Sequence, residues 1–149
     1  MANSKFSDLI KCYSRDYIID YPIENQTLHL AFEYYEPDTI IKSDTIYFNV
    51  WLNLYNKRKD MIRNEQLHIS TGLNPFKTVL IARKCFVALE EKVLETYQSK
   101  YNVVIYCHWV DNRRRDAYYR VLSKRGYQYG RVPFESNKVI LKKFKCKNN

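Results

Sequence analysis

The stretch "VDNRRRDAYYRVLSKRGY", 110–127, begins where the apolar run "YNVVIYCHWV", 101–110, ends. Guanidinium groups bind phosphate through paired N–H donors, and tyrosine rings offer flat faces on which bases stack. Arg113, Arg114 and Arg115, with Tyr118, Tyr119, Tyr127 and Tyr129 interleaved, therefore have the chemistry to contact nucleic acid, a host protein or a phosphate-rich cofactor. The plain alternative is a solvated helix face. The charge is asymmetric in the same direction. From Arg113 to Asn149 there are twelve Lys/Arg against two Asp/Glu, or +10, while residues 1–112 carry −1. Such a distribution points to a polyanionic partner or to solubility alone. No zinc-finger, RNA-recognition or helix-turn-helix spacing accompanies it, so any nucleic-acid affinity would be mainly electrostatic and would fall steeply with salt.

The other reactive groups are cysteines. Cys12, Cys85, Cys107 and Cys146 lie far apart with no CxxC pair, which argues against a zinc site. Cys85 and Cys107 sit inside apolar segments and are expected as buried, reduced thiols. With 149 residues, 46% of them apolar and 28% charged, the chain is expected to form a single globular domain, residues 1–149, with 145–149 a frayed tail. No apolar run approaches the roughly 20 residues of a membrane span. "MANSKFSDLIKCYSRD" has no apolar core of a secretory signal, so no membrane partner and a cytosolic location are expected. The preference for Lys, Asn, Ile and Tyr is that of AT-rich genes and hints at a phage or other mobile element, which would make the location a host cytoplasm.

Periodicity supplies the elements that must position these groups. Phe6, Leu9, Ile10 and Tyr13 have helical spacing, which predicts a short helix over Phe6–Tyr13. In "TLHLAFEYYE", Leu28, Leu30, Phe32 and Tyr34 share one strand face. "TIYFNVWLNLY" is the clearest strand, with Ile46, Phe48, Val50, Leu52 and Leu54 on one face and Tyr47, Asn49, Trp51, Asn53 and Tyr55 on the other. "EQLHIST" reads as a further strand with Leu67 and Ile69 inward. Gly72 and Pro75 break the chain in "GLNPFKT". Val79, Ala82, Phe86, Leu89, Val93 and Tyr97 then recur at helical period through Tyr97. "NVVIYCHWV" is apolar on both faces, as in a covered central strand. A second helix is expected to start at Asp111 or Asn112 and to stop at Gly126 in the left-handed conformation. "KVILKKF" is a last strand. The fold class is therefore α+β, a mixed and mostly antiparallel sheet with flanking helices.

That order resembles the GNAT N-acyltransferase superfamily, in which a strand leads into a pyrophosphate-binding loop and a helix. A central strand splays from the first, and a second helix closes with Gly-Phe or Gly-Tyr before the last strands. The matching segments, "EQLHIST", "GLNPFKT" and its helix, "NVVIYCHWV", "NRRRDAYYRVLSKRGY" and "KVILKKF", fall within roughly residues 45–145. Thr71-Gly72 and Arg114 with Tyr118 are similar to features of divergent phage-encoded GNAT-like proteins. The resemblance implies a GNAT-like fold and acetyl-CoA or another acyl-CoA as cofactor. It implies transfer to an amine of unspecified kind and no metal. It places the cofactor on Ser70, Thr71, Gly72, Leu73 and Asn74, with Lys77 and Thr78 near its phosphates. The family's loop has a second small residue where this chain has Asn74, and its frequent catalytic Tyr falls at Leu122.

Acyl transfer needs a base for the amine, a donor for the oxyanion and an acid for the leaving thiolate. The resemblance makes Glu65 and His68 candidates for the base, with His108 on the central strand the other histidine near the cleft. It makes Tyr119 the candidate acid, one helical turn before the family's position. The departures at Asn74 and Leu122 keep a second function class open. In it, a GNAT-shaped protein without catalysis binds a host protein or nucleic acid through its basic last quarter.

Overall fold

The computed structural model describes residues 4–35, 44–55 and 75–147. Its helices are α1 (Ser4–Ser7), α2 (Pro75–Tyr97) and α3 (Asn112–Leu122). Its strands are β1 (Lys11–Tyr13), β2 (Asp16–Ile23), β3 (Gln26–Tyr35), β4 (Thr45–Tyr55), β5 (Asn102–Cys107), β6 (Gln128–Gly130) and β7 (Val139–Phe144). The protein is α+β. Its strands run in the order β1-β2-β3-β4-β5-β7-β6. The β1–β2, β2–β3, β5–β7 and β6–β7 pairs are antiparallel, and β4–β5 is parallel. Among the described residues no helix is long and apolar enough to cross a membrane. The chain divides into two compact units, one from 1–32 and 51–93, the other from 33–50 and 94–149.

In the first unit the strands turn without glycine. Tyr13 pairs with Asp16 and Ile23 with Gln26, so each turn has two central residues. Ser14 and Glu24 take the first central position at φ 58° and 56°. This geometry usually calls for Gly there. The helix expected over Phe6–Tyr13 stops at Ser7 instead. Lys11–Tyr13 gives its backbone bonds to β2, with Cys12 opposite Tyr17, and the hairpin wins over the helical period. Phe6 is still buried and stacks on Tyr21 at 5.4 Å between ring centroids. The expected inward faces hold: Leu28, Leu30 and Phe32 are buried, as are Phe86, Leu89 and Val93 of α2. Phe32 meets Phe86 at 5.2 Å. Cys85 and Ala88 add to the buried side of α2.

The second unit holds the parallel pair. Ile46, Phe48, Val103, Ile105 and Ile140 are buried on one face. On the other face Tyr47, Val104, Tyr106, Val132, Val139 and Leu141 form a cluster with Phe134 against it. A strand buried on both sides explains why 103–107 is apolar throughout. The boundaries of α3 follow from single residues. Asp111 caps its start, accepting the Arg114 N–H at 2.8 Å. After a 3-10 turn, Ser123–Arg125, Gly126 ends it at φ 89°.

Candidate functional site

Two chain segments, one at the end of β5 and one between β6 and β7, bring a histidine and a carboxylate together. The β4–β5 ladder ends at Val50 opposite Cys107, and the next residue is His108. Its Nε2 lies 3.1 Å from Glu135 Oε1. The ring of Tyr106 stands edge-on to the imidazole, 5.7 Å away at 76°. Glu135 is held by its neighbours. Phe134 packs against Tyr35 at 4.3 Å, Tyr47 at 4.9 Å and Tyr106 at 5.7 Å between centroids. The Glu135 N–H donates to the Val132 carbonyl at 3.2 Å, and Val132 is buried. Arg131 Nη1 donates to the Ser136 carbonyl at 2.5 Å, bridging the turn that carries Glu135.

The electrostatics follow from burial. Burial first, then the nearby charge of Glu135, pushes the Tyr106 phenol far above its ordinary value. Tyr106 is therefore a neutral wall at physiological pH. Across the ladder from Tyr106 is Asn49. It is buried, and its Oδ1 has no hydrogen-bond partner among the described residues. An orphaned buried carbonyl costs about 1–3 kcal/mol, so this atom calls for an N–H donor. Burial also pushes the Cys107 thiol up to about 12, and chiefly burial pushes the Tyr118 phenol up to about 12. Both keep their protons at neutral pH. The expectation of buried, reduced thiols at Cys85 and Cys107 holds.

The other candidates from the sequence are placed as follows. Tyr119 lies flat on Tyr129 of β6, 4.4 Å between centroids at 8°, and Trp109 stands edge-on to Tyr129 at 5.7 Å. That stack, rather than the His108–Glu135 pair, is what the structure gives Tyr119 as its setting. Lys77 is exposed and Thr78 buried in the first turn of α2. Glu65, His68, Ser70, Thr71, Gly72, Leu73 and Asn74 lie outside the described residues. Arg114 Nη1 reaches Asp111 Oδ2 at 2.6 Å, and Arg115 Nε reaches Asp116 Oδ1 at 3.0 Å. Two of the three arginines thus face carboxylates of their own helix, and Arg113 is exposed.

No family model, curated protein or solved structure matches this chain. Its site must stand on its own geometry.

Sequence reasoning missed Glu135, Asn49 and a second histidine pair. A signal for Glu135 existed: with Asp116 it is one of only two carboxylates in the basic last quarter. Asn49 was visible as a polar residue on the strand face opposite the aliphatic one. The second pair joins His29 Nδ1 to Asp20 Oδ1 at 2.6 Å across β2 and β3. The His29 hydrogen bond, outweighing the opposing effect of burial, holds the Asp20 carboxyl below its ordinary range.

His108 is the group best arranged to move a proton. When its Nε2–H is donated to Glu135, Nδ1 becomes the basic nitrogen. A carboxylate on the far side fixes the tautomer, the division of labour seen in histidine bases generally.

Proposed function

We propose that the chain is a divergent acyl-CoA-dependent N-acyltransferase, with a GNAT-like fold, in which His108 takes a proton from the acceptor amine. The observation that carries this reading is the His108–Glu135 pair at the point where the parallel β4–β5 ladder ends. From α2 onward the order of elements supports it: helix α2, the central strand β5, helix α3 followed by Gly126-Tyr127, then the last strands, while the strand expected at 65–71 lies outside the described residues. That is the order the family resemblance implies.

The resemblance places the cofactor's phosphates at the start of α2. Lys77, in the first turn of α2, offers a cation to phosphates where helix N–H groups also point outward, and Thr78 lies beside it. When bound, acyl-CoA supplies an activated acyl carbon, so that an amide bond replaces a C–S bond and the amine's proton ends on the released thiol. The chain's own part is to place a base and hold protons. His108 Nδ1 accepts the proton, and Glu135 orients the ring. Tyr119, the candidate acid that the resemblance implies, stacks on Tyr129. The pairing of Arg114 with Asp111 and Arg115 with Asp116 weighs against a phosphate-gripping role for that triplet.

Calorimetry with acetyl-CoA tests the reading. Wild type is expected to bind, and a Gly72→Trp variant to bind at least tenfold more weakly, or about 1.4 kcal/mol. Absence of binding at millimolar cofactor would refute the enzyme. Equal binding in both proteins would remove the cofactor from Gly72.

A further inference from the structure

We infer that the concavity beside Glu135 takes a small molecule carrying both an ammonium and a separate anionic group, a carboxylate or a phosphate. As the subsite of the acyl acceptor, it rests on the acyltransferase reading. As a binding site, it rests on geometry alone.

The concavity has a volume of about 440 Å³. That lies within the roughly 300–1,000 Å³ of small-molecule sites. Its floor is a row across three strands: Tyr47 opposite Val104, and Val104 opposite Lys143. Val132 and Pro133 complete an apolar wall. Its charged groups are Glu135, Arg131 and Lys143. A carboxylate and two cations around one small space select by charge. A simple amine meets Glu135 but is repelled by Arg131 and Lys143. A simple anion meets the two cations but is repelled by Glu135. A molecule with both charges satisfies all three.

The cations are available. Lys143 is exposed, and no carboxylate lies within salt-bridge distance of it among the described residues. Arg131 gives Nη1 to the Ser136 carbonyl. A guanidinium has five donors, so others remain to be used. The carboxylate is placed to matter, because Glu135 belongs both to this wall and to the His108 pair. An ammonium held on Glu135 lies beside the His108 ring. The anionic group on Arg131 and Lys143 fixes which amine arrives.

The test is an NMR titration of the full chain without acyl-CoA, using four probes. β-Alanine carries an amine and a carboxylate, phosphoethanolamine an amine and a phosphate, ethylamine the amine alone, and propionate the anion alone. At least one of the doubly charged probes should shift the amides of 131–135, at concentrations about tenfold below those needed for either singly charged probe. The tighter of the two identifies the anion. Lys143→Gln, at an exposed strand position, should weaken that probe roughly fivefold and leave ethylamine no weaker. Arg131→Gln should act in the same direction, with the circular dichroism spectrum confirming the fold. Ethylamine or propionate binding as tightly as both doubly charged probes would overturn the inference. So would absence of shifts at 131–135, or binding indifferent to both substitutions. The two readings fail separately. Acetyl-CoA that does not bind, with a doubly charged probe that does, removes the acyl transfer and leaves the pocket. The reverse leaves an acyltransferase whose acceptor binds elsewhere.

Discussion

Phe134 is the residue whose removal most directly tests how the site is held. It contacts three tyrosine rings, Tyr35, Tyr47 and Tyr106, and precedes Glu135. Truncating a fully buried Phe to Ala costs about 3–5 kcal/mol. Phe134 is half-buried, so roughly half of that, about 2 kcal/mol, is expected for Phe134→Ala. The ring pairs alone support that scale, at about 0.5–1.5 kcal/mol each where the partners stay desolvated. For a chain of this length the corresponding fall in Tm is roughly 4–8 °C. Urea unfolding followed by circular dichroism measures the global term. Hydrogen exchange at 131–136 measures the local one, because the aromatic contacts are what fasten this segment to the sheet. Phe134→Leu keeps most of the volume and should recover about half of the loss. Any amine acylation should fall in Phe134→Ala to the level of Glu135→Gln, since both leave His108 without a positioned carboxylate. A Phe134→Ala protein within about 0.5 kcal/mol of wild type, with unchanged exchange at 131–136, would show that the aromatic contacts do not hold the loop.

Other outcomes are equally definite. His108→Ala should lower thiol release from acetyl-CoA about 10²–10⁴-fold, the usual worth of a general base, with Glu135→Gln costing less; a His108→Ala enzyme of wild-type turnover would exclude His108 as the base. Asp20 is held by His29 below the ordinary 3.8 of an aspartate, so its contribution to stability is full above that value and is lost as the pH falls through the lowered one. Urea titrations of wild type and Asp20→Asn should therefore converge in acid, and a gap constant from pH 7 down to pH 2 would contradict the pair. Iodoacetamide at pH 8 should label exposed Cys12 first and Cys85 and Cys107 only on unfolding, as mass spectrometry of digests would show, because burial pushes both buried thiols up to about 12. Gly126→Ala should cost about 1–2 kcal/mol by urea unfolding, because φ 89° strains any side chain and the new Cβ would stand 3.1 Å from Lys142 Nζ.

Much of this architecture was legible where side-chain period and burial agree. α2 carries its stripe to Tyr97, and 103–107 is apolar because both its faces are covered. Asp111 and Gly126 bound α3 through chemistry that can be read residue by residue. The first hairpins were hidden for an equally local reason. Ser14 and Glu24 take positive φ without the Gly that normally announces such a turn, and Pro22 lies inside β2. β6 escaped because three residues are too few to show a period. The site was half legible. His108 could be chosen by type and by its place after an apolar strand. Its partner could not, because Glu135 reaches it only when the chain doubles back from β6 toward β7. Register does not reveal that Tyr129 supplies a ring for Tyr119 to stack on.

The two outermost strands have a consequence for how the protein behaves in a crowded solution. A sheet offers a neighbouring chain its unpaired margins, and long, flat, apolar margins recruit strands from other molecules. Among the described residues the outermost strands are β1 and β6, each only three residues long. β1 is exposed throughout and begins with a lysine, and β6 is exposed at Gln128 and Tyr129. A three-residue margin gives an incoming strand too few backbone bonds to hold against its lost freedom. Among the described residues, the two outermost strands are thus too short to seed strand-by-strand growth by themselves.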